Sequence, residues 1–172
     1  TLKPDTDKDV RGMAIKLMGV PGDKLLANEK TEQTQDFILI SAPIFVSKGV
    51  QEFDALAQAL FGSVLAKLSH LLTHWRALWL LIKLLRRFAN PLQIRYFSST
   101  PYLFGSQAVK YAATPRVDRP DSIPSQPADD FLRTALVNQL KLGEAHFDFS
   151  VQLQTDALQM PIEDPRCEWP ES

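Results

Sequence analysis

The sequence has a single cysteine in 172 residues. Cys167 therefore closes no internal disulfide, and the chain reads as one for a reducing, cytoplasmic compartment rather than a secreted scaffold. No signal peptide is visible at the N-terminus. No apolar run is suited to spanning a membrane: the stretch from Ala77 to Leu85 is short and interrupted by Lys83. A Gly-rich phosphate loop is missing, because GVPGDK lacks the spacing. A strong overall charge is missing too; the net value of −1 argues against nucleic-acid binding. The chain also lacks an initiator methionine. Only ten residues, TLKPDTDKDV, precede the strand-like stretch RGMAIK. It reads as an internal part of a fold, without the N-terminal and C-terminal parts. Its length and its 45% apolar content fit one globular domain, residues 1–172.

One local absence stands out. Residues 55–117 contain 8 basic residues and no acidic one, whereas residues 118–172 contain 4 basic and 11 acidic ones. Two readings are open. The basic middle and the acidic end pack near each other, or the middle meets an anionic surface or a carboxylate-bearing ligand.

The patterning predicts a mixed α+β fold. GMAIKLM over 12–18 suits a strand and GVPGDK a turn. Residues 36–46, DFILISAPIFV, suit a second strand with a break at Pro43, which has no N–H. From 51 to 89 apolar residues recur at three- and four-residue steps, the spacing of a helix. Gly62-Ser63 bends or splits that segment, and Asn90-Pro91 ends it. Residues 94–97 and 108–113 suit strands separated by the turn SSTPYLFGS. The stretch 114–129, with four prolines, is a surface connector. Asp129 or Asp130 is placed to cap the following helix, and Gly143 to stop it. FDFSVQL over 147–153 alternates as a strand does.

Few residues suggest chemistry unaided. His70 and His74 stand at i, i+4, a spacing that can bind zinc, yet no nearby acid completes a site. They read as polar-face histidines. Cys167 has no paired base. Glu163 and Asp164 read as solvated acids in a Pro-rich tail. The basic stretch 67–87, with Trp75, Trp79 and several leucines, suits a membrane interface. Its apolar residues also spread beyond one stripe, which suits packing on two sides.

Taken together in order, RGMAIK, DFILISAPIF, GSQAVKY, the Pro-rich connector, a helix, FDFSVQLQT and EDPRCEWPES resemble the haem-dependent catalase family. The likeness is nearest to its small peroxidase-like members and covers nearly all the chain outside 57–89. It implies an antiparallel β-barrel, present here in part, with residues 55–89 as a helical insertion. It implies haem as cofactor and breakdown of hydrogen peroxide or organic hydroperoxides. Phe53 stands where a family phenylalanine lies against haem, and Phe45 is placed to line the same pocket. Ile40 and Ser41 stand in the region of a distal asparagine, and only Ser41 can donate a hydrogen bond. Gln107 takes the place of a family histidine or arginine. The resemblance puts the distal histidine before RGMAIK and the proximal tyrosine after the last residue. No catalytic residue or iron ligand is then expected within the chain, and Arg11 reads as a structural charge. A barrel with missing strands leaves unpaired edges. The expected partners are a peroxide, a further segment or chain that completes the barrel, a second copy of the chain, and an anionic membrane surface. The alternative is a non-catalytic catalase-fold subunit that serves assembly, or peripheral membrane docking, through residues 55–89.

Overall fold

The computed structural model describes residues 3–61 and 75–171. The expected Gly62-Ser63 bend and the His70/His74 pair lie outside them. Six antiparallel strands form one sheet: β1 (Gly12–Met18), β2 (Thr34–Ile40), β3 (Tyr96–Phe97), β4 (Tyr102–Phe104), β5 (Gln107–Pro115) and β6 (Phe147–Leu153). The order is β1-β2-β3-β5-β4, with β6 on the other side of β5. Among the described residues the helices are α1 (Val50–Phe61), α2 (Trp75–Leu84) and α3 (Phe131–Leu142), with short 3-10 turns at Ala27–Glu29 and Pro91–Gln93.

The barrel expected from the sequence is not closed. Among the described residues β1 pairs only with β2, and β6 only with β5. Both are seven-residue strands, so two long edges stay open. The sheet nevertheless curls. Phe37 on β2 and Phe149 on β6 have ring centroids 5.0 Å apart. Three strand spacings separate those strands, about 14 Å in a flat sheet. Tyr111 on β5 touches both rings, at 5.1 and 5.6 Å. Alternation aims Leu39, Tyr96, Val109, Tyr111 and Ala113 at this concave face, where they form the main core. A second core lies on the opposite face and gathers Ala42, Val46, Leu56 and Leu84.

Local chemistry explains where elements end. β2 stops at Ile40, short of the expected Val46. The Ser41 N–H donates to the Arg11 carbonyl at 2.8 Å, and the Arg11 N–H donates to Ser41 Oγ at 2.9 Å. A hydroxyl thus takes the place of the next backbone acceptor. Pro43 then offers no N–H, and the chain leaves the sheet. The turn-like SSTPYLFGS contains β4, because Gly105 at φ 62° closes a two-residue hairpin between Phe104 and Gln107. The helix expected to run to Asn90 ends at Leu84. Arg86 instead exchanges two backbone hydrogen bonds with Asp9, at 3.0 and 3.3 Å. Asn90, almost fully buried, accepts from the Leu92 N–H and donates to Asp121 and Gln139.

The cap of α3 comes from elsewhere in the chain. Asp130 precedes the helix but makes no side-chain cap. Asp5 accepts the Leu132 N–H through Oδ2 at 3.0 Å, while its Oδ1 lies 3.4 Å from the Arg11 guanidinium. Arg11 is thus a structural charge. Asp5→Ala is expected to lower the unfolding free energy by about 1–2 kcal/mol, the usual loss for a helix cap. Urea denaturation checks this; an unchanged midpoint would remove Asp5 from the capping role.

Candidate functional site

The candidate residues lie along the seam where β2 leaves the sheet. Phe45, in the segment after β2, and Phe53, on α1, come together with ring centroids 5.4 Å apart and planes tilted by 37°. Ser41 lies at the base of the same segment, but its hydroxyl accepts the Arg11 N–H. Gln107 does not join them. It is exposed at the hairpin, five residues along β5 from Ala112, whose partner Phe97 on β3 pairs in turn with Ile40 at the end of β2. That separation is about 17 Å of strand.

Two adjoining clefts flank this seam. One of about 350 Å³ is lined by Ser41, Pro43, Arg86, Phe88, Arg95 and Glu168, among others. The other, of about 300 Å³, opens over Arg95, Phe97, Lys110, Gln152, Glu168 and Trp169. Lys110 points away from the concave core and is buried. Its ammonium donates to the Cys167 carbonyl at 3.2 Å, reaches the Pro43 carbonyl at 3.5 Å, and sits 5.2 Å from the Trp169 ring centroid. Burial pushes the amine below its ordinary pKa, opposed by Cys167 and Glu168. Lys110 therefore ties three segments together: β5, the Ser41–Lys48 segment and the C-terminal tail. Arg95 pairs with Glu171 at 2.6 Å and lies 4.8 Å from the Phe97 ring centroid. Sequence reasoning did not single out Lys110 or Arg95. The available signal was one lysine inside the apolar run AVKYAA.

These contacts also answer the question of charge. Arg95 with Glu171, and Arg116 with Asp148 at 2.8 Å, join the basic middle to the acidic end. That pairing is one of the two readings of the sequence.

No family model matches the chain, and no curated protein matches it. Among solved structures, the crystal structure of a fungal catalase aligns with a TM-score of 0.66 at 14% identity. The fold is catalase-like. The alignment takes in 98% of this chain and 37% of that catalase, so the chain spans well under half of its length.

The sequence resemblance implies haem, and the described residues do not build a site for it. Phe45 and Phe53 touch each other and leave no slot between them for a flat macrocycle. The described histidine, His146, is exposed and lies 3.4 Å from Glu144. Tyr102 and Tyr111 place their rings 5.7 Å apart. Burial, and secondarily Tyr102, push the Tyr111 phenol upward, which disfavours the phenolate an iron ligand requires. Among the described residues no group of three or more His, Cys, Asp or Glu is placed to hold a metal.

Proposed function

We propose that this chain forms part of the wall of a catalase-like, haem-dependent protein that breaks down hydrogen peroxide or organic hydroperoxides. In this reading the iron ligand and the acid–base groups come from polypeptide other than the described residues. The observation that carries it is the alignment of nearly the whole chain onto part of a catalase. The open edges of β1 and β6 support it, as ready templates for further strands. So does the concave face, where Leu17, Tyr102, Phe104, Phe149, Val151 and Leu153 remain exposed beyond the core. Aromatic and aliphatic side chains in such number call for a cover. A further segment, another chain or a second copy would each supply one.

A non-catalytic catalase-fold subunit is the second reading. The touching Phe45 and Phe53 rings favour it.

Haem titration into the 172-residue chain, followed by a peroxide-consumption assay, tests the assignment of roles. The expected result is no stoichiometric Soret band and no consumption beyond that of free haem. A one-to-one Soret complex that consumes peroxide would place the reactive centre in this chain and overturn the wall assignment.

A further inference from the structure

The pairing of the basic middle with the acidic tail leaves one cluster out. Lys83, Arg86 and Arg87 are all exposed at the C-terminal end of α2 and just beyond it. Among the described residues, no carboxylate lies within ion-pairing distance of any of them, unlike Arg95 and Arg116 of the same basic middle. Two large apolar side chains stand on the helix one turn before Lys83 or next to it, while Arg86 and Arg87 follow just past the helix end. Trp79 is 51% exposed and Ile82 is 60% exposed. They are three residues apart, so they share one helix face. The Lys83 ammonium lies 3.7 Å from the centroid of the Trp79 ring, which keeps the indole turned toward the cation. Leu81 and Leu84 pack on the opposite side, against the second core. The helix is thus anchored by one face and offers the other.

We propose that this face of α2, with Arg86 and Arg87, is a docking surface for an anionic lipid bilayer. The charge argues for an anionic partner, since Lys83, Arg86 and Arg87 are the exposed cations of the basic middle that no described carboxylate meets. The apolar pair argues for lipid among anionic partners. An indole and an isoleucine gain from insertion at the headgroup boundary, with cations beside them meeting the phosphates. A soluble polyanion rewards the cations alone. No described helix is long and apolar enough to cross a membrane, so the mode is contact with the surface. The proposal does not depend on haem or on peroxide chemistry.

Vesicle co-sedimentation of the full chain tests this. The probes are vesicles of phosphatidylcholine with about a third phosphatidylserine, and vesicles of phosphatidylcholine alone, at low and high salt. Binding is expected to the anionic vesicles at low salt, with a blue shift in tryptophan emission. The triple reversal Lys83→Glu, Arg86→Glu, Arg87→Glu is expected to weaken binding at least a hundredfold, because each basic residue near an anionic surface contributes appreciably. The double variant Trp79→Ser, Ile82→Ser is expected to weaken it roughly tenfold and abolish the blue shift. All five side chains are exposed, and circular dichroism confirms that the variants fold. Absence of binding to anionic vesicles at low salt would overturn the proposal. Equal binding to both vesicle types, or binding untouched by either set of variants, would do the same. Equal retention on a soluble polyanion such as heparin, with no emission shift on vesicles, would assign the face to polyanions in general and refute the lipid proposal.

Discussion

Replacing Trp169 by alanine is expected to lower the unfolding free energy by about 3–5 kcal/mol, the usual range for losing a buried aromatic. Trp169 is 3% exposed, buried near the end of the sequence with only three residues after it. Its indole N–H donates to the Pro161 carbonyl at 3.3 Å, and its ring faces the Lys110 ammonium. Around it the tail is held at several further points. The Phe45 N–H donates to the Pro165 carbonyl at 2.9 Å, Gln152 donates to the Pro170 carbonyl at 2.8 Å, and Glu171 meets Arg95. Removing the indole leaves a cavity on the convex face and takes the aromatic partner from Lys110. Urea denaturation is the measurement, with hydrogen exchange of residues 160–171 alongside it. A loss below about 1 kcal/mol would mean that the tail is only draped over the sheet. The Ser41–Lys48 segment would then lack its outer support.

The second large effect is one of pH. Tyr96 is 2% exposed, and its hydroxyl donates to the Pro91 carbonyl at 2.8 Å. Burial pushes the phenol up to about 12, while the nearby Arg11 pulls weakly the other way. In the unfolded chain the same phenol titrates near 10. Between about pH 10 and 12 the folded state keeps a proton that the unfolded state has released. Stability from this group therefore falls as pH rises through that window, by on the order of 2–3 kcal/mol in all. Below pH 10 the contribution is constant. Lys110 acts in the opposite sense, because its amine is pushed down by burial, so stability from that group rises with pH up to the ordinary lysine range. The difference between the native chain and Tyr96→Phe isolates the phenol. The variant is expected to be about 1 kcal/mol less stable at neutral pH, through the lost hydrogen bond, to close that gap above pH 10 and to become the more stable of the two by about pH 12. Two curves that stay parallel up to pH 12 would contradict this account.

The parts of the fold that were readable from the sequence are those decided locally. The alternation of FDFSVQL and the run GMAIKLM marked β6 and β1 with their observed bounds. Pro43 foretold the break in the second strand, and Gly143 the end of α3. What escaped was decided by distant partners. Asp5 caps α3 across more than a hundred residues, and Arg86 leaves the helix to bridge Asp9. β4 is a strand because β5 lies beside it, not because YLF demands one. The candidate site divides in the same way. Phe45 and Phe53 meet, since the loop and α1 share the second core. Ser41 turned out to finish a ladder, and Gln107 to sit at a hairpin far along β5. Lys110 and Trp169 show their roles only once the tail is folded back over the sheet. The catalase resemblance matched the architecture because it ordered several strands at once, where no single motif was decisive. Barrel closure did not follow, as β1 and β6 find no further strand among the described residues.

The most direct test of the account is the absorption spectrum of this chain isolated from its own cells under native conditions, with intact mass and partner content measured on the same sample. The account predicts a Soret band that travels with additional polypeptide, and loss of that band when the polypeptide is stripped away. A native sample of this chain without haem, whether alone or in a complex, would contradict it and leave a catalase-like fold kept for assembly.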